Sequence, residues 1–129
     1  MAVTPEYVYA ACTSGLMYVD KSDNGSGTFS KVDGLSGTVI SRIHYDESSQ
    51  YLVVAYDDGN LDFIKEDRIY NLRDIKDKSI INSKRVNDIF SYGGLIYLAY
   101  SFGMVSIDMA TLLVRDTWYT QREIGRAHV

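Results

Sequence analysis

Three copies of one pattern lie 44 residues apart in this chain, and they restrict its fold more than any other feature. Tyr51–Leu61 reads YLVVAYDDGNL, a run of apolar and β-branched residues that stops at Asp57-Asp58-Gly59. The same shape occurs at Tyr7–Met17 (YVYAACTSGLM) and at Leu95–Val105 (LIYLAYSFGMV). Ala11, Ala55 and Ala99 share the spacing, and so do Gly15, Gly59 and Gly103. A period in the low forties built from strand-like units is the signature of β-propeller blades. The fold class expected is therefore all-β: blades of four antiparallel strands, about two and a half of them, in an incomplete propeller. Residues 1–122 form that partial propeller domain, and the missing blades of the same propeller are the first partner it calls for.

One full period sets out the blade. Val39–Tyr45 alternates, Asp46–Gln50 is a hairpin loop, and Tyr51–Tyr56 follows. Asp57-Asp58-Gly59 turns the chain into Asn60–Lys65, and Glu66-Asp67 into Arg68–Leu72. The unit before it supplies Tyr7–Thr13, Leu16–Lys21 and Thr28–Val32 after a ragged start. The unit after it supplies Arg85–Tyr92, Leu95–Ser101, Met104–Met109 and Leu113–Tyr119. Arg73–Lys84 is polar and is expected to be a solvated connection. Tyr51–Tyr56 is almost continuously apolar, as a strand covered on both faces must be. Ala55 then reads as a spacer that lets adjacent sheets approach, and the repeated glycine as a hairpin position with positive φ.

Composition bounds the function classes. Net charge is −4, and no Lys/Arg cluster exists, which argues against a nucleic-acid partner. The single cysteine, Cys12, excludes an internal disulfide and is expected to be a small buried core residue. The longest apolar runs fall far short of a membrane-spanning helix, and the first residues lack a signal-peptide pattern.

Catalytic constellations are not found. His44 has no nucleophile or metal-ligand partner at motif spacing and reads as a surface strand residue. Asp57 and Asp58 beside Gly59 read as turn formers rather than a glycosidase pair. Ser22–Gly27 lacks the alternating ligands and closing Glu of a calcium loop. Ser14-Gly15 and Ser36-Gly37 lack the frame of a nucleophile elbow. Trp118 and the tyrosines suit sugar stacking, but core or inter-blade packing is the favoured role. No catalytic, cofactor-binding or metal residue is therefore assigned, no cofactor is expected, and the chain is not expected to be an enzyme.

The last seven residues, Glu123–Val129, read EIGRAHV. One permitted back-translation contains AGATCGGAAGAGCACACGTC, which resembles a common sequencing adapter. A non-native tail over 123–129 is expected, and His44 is then the one native histidine.

Gly34-Leu35-Ser36, Val39, Ser41, Ile43 and Asp46, followed by Tyr51–Tyr56 and Gly59-Asn60-Leu61, resemble the two-component regulator propeller repeat. A closer resemblance is to the amino-terminal propeller of PorZ-like proteins of the type IX secretion apparatus of Bacteroidota. VDGLSGTVISRIHYD, YLVVAYDDGNLDFI, IYNLRDIKDKSI, SKRVNDIF and FGMVSIDM carry it. It covers Tyr7 to Tyr119. The resemblance implies two propellers and a small β-domain in the full-length relatives. It also implies export to the periplasm or outer-membrane surface and a role in attaching secreted cargo to lipopolysaccharide. The partners it implies are other secretion or sortase proteins, with lipopolysaccharide or a glycan. No ligand residue transfers with it. The repeat resemblance also allows an extracytoplasmic glycan-sensing propeller of a hybrid two-component regulator.

Overall fold

The computed structural model describes residues 1–13, 15–37, 39–79 and 83–120. Three antiparallel four-stranded meanders follow one another along the chain. The first holds β1 (Ala2–Val3), β2 (Tyr7–Cys12), β3 (Gly15–Asp20) and β4 (Ser26–Phe29). The second holds β5 (Ile40–Asp46), β6 (Tyr51–Tyr56), β7 (Leu61–Lys65) and β8 (Arg68–Leu72). The third holds β9 (Val86–Tyr92), β10 (Leu95–Tyr100), β11 (Gly103–Asp108) and β12 (Leu113–Tyr119). These are propeller blades, and the first is the incomplete one: its innermost strand has two residues. That strand falls in what the sequence presents as a ragged start. Too short to show a period, it is placed by pairing, Ala2 with Tyr9 and Val3 with Val8.

The core lies between blades rather than inside one. On β6, Leu52, Val54 and Tyr56 enter a cluster shared with the first blade, alongside Tyr9, Leu16 and Leu35. Val53 and Ala55 point the other way, into a cluster with Ile96, Leu98, Val105 and Ile107 of the third blade. Burial on both sides is why β6 is apolar at successive positions. Each fully buried side chain of this kind contributes about 2 kcal/mol. The spacer role is realised at Ala55, which is fully buried, whereas Ala11 is exposed.

The linkers do more than connect. Ser30 caps a 3-10 turn at Lys31–Asp33, in a stretch whose sequence reads as the end of the outer strand. Leu35 then plugs the seam between the first two blades. Over 73–79, the described part of the 73–84 linker before residue 83, the chain is not the wholly solvated loop its charge suggests. Asp77 N–H donates to Arg73 O, and Ile75 is fully buried in the second seam. Arg73, Asp74 and Asp77 stay exposed around that one buried anchor. Lys84 Nζ donates to the carbonyls of Lys76 and Lys78, which holds the linker closed.

The repeated glycine takes two different roles. Gly15 and Gly103 open β3 and β11 opposite Cys12 and Tyr100, with φ of 155° and 149°. A Cβ on either would run into the carbonyl oxygen of the next strand, at Phe29 or Trp118. Gly59, with φ 93°, lies inside a four-residue loop, 57–60, where the other two hairpins have two. Asn60 there takes the place beside the hairpin, accepting the Tyr56 N–H at 3.0 Å.

Candidate functional site

The densest polar cluster is built around Asp62 of β7. The residue sits in an apolar run, Leu61-Asp62-Phe63-Ile64, and is fully buried. A carboxylate there must be hydrogen-bonded to be tolerated. It accepts from Ser36 N–H at 2.8 Å and Ser36 Oγ at 2.6 Å. It also accepts from the Tyr56 hydroxyl at 2.7 Å and Asn71 Nδ2 at 3.1 Å. Asn71 Nδ2 further reaches Asn60 Oδ1 and Leu61 O, each at 3.0 Å. Burial, reinforced by the Asp62 carboxylate, pushes the Tyr56 phenol far above its ordinary pKa. The cluster is closed and self-satisfied, so its chemistry is that of a clamp. It fastens the Gly34–Gly37 linker to the middle blade, with Leu35 as the plug and Ser36 as the hook. Gly37 packs against the Tyr56 ring, where a Cβ would lie 2.7 Å from Cδ1. Sequence reasoning missed Asp62, although one acid in an apolar strand was a readable signal.

A second polar set crosses the seam between the middle and third blades. His44 Nε2 lies 2.6 Å from Ser91 Oγ. The histidine is half-buried, not a surface residue as its isolation in the sequence suggests, because β9 packs over β5. Burial lowers its pKa, against the opposing pull of Asp46 and Asp88. Ser41, the extra residue of a β-bulge in β5, accepts the Val86 N–H at 3.3 Å and donates to Ala55 O. Asp57 and Asp58 are in the turn, where Asp58 Oδ1 accepts the Asn60 N–H at 3.0 Å. They also reach Arg85 and Lys76 at 3.3 and 3.4 Å, exposed pairs worth little individually.

The remaining sequence candidates do not converge. Cys12 is exposed rather than buried. It ends β2 on the face turned away from the middle blade, where no blade of this chain covers it. Trp118 stacks on Tyr97 with centroids 6.4 Å apart and remains 47% exposed. Asp20 and Asp23 accept from the backbone of Ser22 and Gly25, so the Ser22–Gly27 loop is held by its own turns. Among the described residues no group of three or more His, Cys, Asp or Glu side chains is placed to hold a metal. Nor is any helix there long and apolar enough to cross a membrane. Ser14 and the tail at 123–129 lie outside the described residues. A hollow of about 200 Å³ opens between the first two blades, lined by Tyr7, Tyr9, Tyr45, Gln50, Lys65 and Glu66 among others. Burial and the nearby Tyr7 and Glu6 push the Tyr9 phenol up to about 12.

The outer faces complete the picture. Phe90, Tyr92, Met104 and Trp118 leave an exposed apolar surface on the third blade. Sheet count, strand order and this open face describe part of a ring, and the sequence decides which ring. Residues 8–129 match the family described as TSS9, PorZ, N-terminal beta-propeller domain. The chain belongs to this PorZ propeller family. A solved structure of PorZ from Porphyromonas gingivalis superposes with a TM-score of 0.84 at 32% identity. The match covers 91% of this chain and 16% of that one. That PorZ is described as an essential bacterial surface component of the type-IX secretion system. No curated protein matches. The Gly34-Leu35-Ser36 element now has a physical account within this PorZ propeller: it is the linker that Asp62 holds.

Proposed function

We propose that this chain is part of an exported, non-catalytic β-propeller scaffold of the type IX secretion apparatus, one that helps attach secreted cargo at the cell surface. One observation carries the reading: 32% identity to PorZ over 91% of the chain, with the blades superposing at a TM-score of 0.84. The clustered polar groups support it, since Asp62 and His44 are engaged in holding linkers and blades together. On this reading the partners are other secretion or sortase proteins and lipopolysaccharide, and the site of action is the periplasm or outer-membrane surface. Deletion of the gene in its host is the test. Cargo then leaves the cell surface and accumulates in the periplasm; unchanged surface cargo overturns the proposal. A broad hydrolase panel on the full-length protein tests the non-catalytic part, and any specific turnover overturns that part.

The propeller-repeat pattern over residues 34–61 favours a second reading, a glycan-sensing propeller of a hybrid two-component regulator. Sequence downstream of Tyr119 in the genome separates the two. A membrane helix and kinase sink the secretion reading, and a second propeller with a terminal β-domain sinks the sensor. The same genomic sequence tests the proposal that 123–129 is a non-native tail, which native codons for EIGRAHV refute.

A further inference from the structure

The seam between the first two blades is hollow at a place where the seam between the second and third is filled. Tyr7 and Tyr9 wall the hollow of about 200 Å³ on one side, Tyr45 and Glu66 on the other, and Glu6 of the β1–β2 turn also lines it. Both walls are blades of this chain. Strand register places Tyr51, Val53, Ser91 and Met109 at the corresponding positions of the second seam. Met109 there is 4% exposed and shares an apolar cluster with Val53. A blade junction can therefore close on apolar side chains, and the fold does not demand the tyrosines and acids of the first.

Three features set the chemistry of the hollow. Tyr9 is 9% exposed, yet its hydroxyl has no hydrogen-bond partner among the described residues. Glu6 and Glu66 form no ion pair among those residues. Lys65 reaches the rim, but its Nζ lies over the Tyr51 ring, 5.1 Å from the centroid. Tyr7 is the counterpart of Tyr51 in the first blade, and the residue across from it is Asp20. Burial and then the charges of Glu47, Glu6 and Asp46 raise the Tyr45 phenol, so the field is negative on that wall too. Ring faces, a free phenol oxygen and two carboxylates select a cationic hydrogen-bond donor. A planar guanidinium stacks on a ring and still has donors for the oxygens. Sites for whole small molecules run to about 300–1,000 Å³, so this hollow suits the end of one side chain.

We propose that the hollow receives the guanidinium of an arginine side chain carried by a protein partner. It stacks on a tyrosine face, donates to the Tyr9 hydroxyl and pairs with Glu6 and Glu66. The site lies within one seam of this chain and does not depend on the secretion reading.

Saturation-transfer NMR on the full-length protein tests it, with the capped tripeptide Gly-Arg-Gly as the probe. Saturation should reach the arginine methylenes and should not reach those of the citrulline analogue, which is similar in shape but uncharged. Glu66→Gln should weaken binding about tenfold, the worth of one charge-assisted hydrogen bond. Glu66→Met should abolish it by filling the hollow as Met109 fills the second seam. Glu66 is exposed at a hairpin, and circular dichroism checks that both variants keep their strands. If Glu66→Met unfolds, Glu66→Gln and the citrulline peptide decide. No transfer at millimolar peptide overturns the proposal. So does transfer unchanged in the Glu66 variants, since the arginine is then bound elsewhere. Equal binding of Gly-Lys-Gly overturns the choice of guanidinium. Free arginine bound more tightly than the tripeptide overturns the protein partner, since a whole small molecule is then the occupant.

Discussion

Tyr56 and Tyr100 hold the same place in successive blades, and their hydroxyls meet opposite fates. Each ends the second strand of its sheet and each is buried against the preceding blade. Tyr56 donates to Asp62 at 2.7 Å. Tyr100 stacks on Phe102, with centroids 4.7 Å apart, and its hydroxyl has no partner among the described residues. The cause is one residue on the neighbouring strand. Asp62 lies across from Val54, and Val105 lies across from Leu98. The aromatic shape thus belongs to the blade position, while the polar clamp belongs to the middle blade alone. Burial raises both phenol pKa values, but only at Tyr56 does a carboxylate add to the effect.

Substitutions can break that contrast, and the largest effect is expected at its source. Asp62→Val gives the middle blade the residue type of the third and strands the donors of Ser36, Tyr56 and Asn71. A loss of about 3–5 kcal/mol in urea unfolding is expected. A loss below about 1 kcal/mol would show that the linker does not depend on the clamp. Tyr56→Phe removes a single donor and is expected to cost about 1–2 kcal/mol by the same measurement. Tyr100→Phe removes a hydroxyl that gains nothing, so stability should hold within about 0.5 kcal/mol or rise. A large loss there would reveal a partner.

The smallest effect is in pH dependence. His44 stands where the third blade has Phe90, across from Val53 as Phe90 is from Tyr97. Its folded-state pKa is lowered by burial, so the unfolded chain binds the proton first. Stability is then full above the unfolded value of about 6.5 and falls as pH drops through the folded one. Denaturation midpoints across that window should slope for the unmodified chain and flatten for His44→Phe.

The bounds of β6, β8 and β12 were legible, those of β6 most directly because its apolar run stops at Asp57-Asp58-Gly59. What escaped reading depends on contacts distant in sequence. Cys12 was expected inside because its strand is apolar, yet its exposure is set by which neighbour the blade has. His44 was misjudged for the same reason: Ser91 is 47 residues away. Ile75 was hidden by charged neighbours, although a lone apolar residue in such a run is itself a sign of anchoring. Even the 44-residue glycine register conceals a difference, since the middle hairpin is longer and Asn60 fills the position that Gly15 and Gly103 hold. Asp62 was the clearest missed signal, because a strand buried on both faces leaves a carboxylate no solvent.

The plugs at Leu35 and Ile75 carry a mechanical consequence. A protease reaching Lys31 or Arg73 would cut the polypeptide without freeing either piece, since the severed linker is still anchored in the seam beside it. Nicked protein should therefore migrate as intact on a native gel and separate only in denaturant, so covalent continuity and structural integrity part company at the linkers.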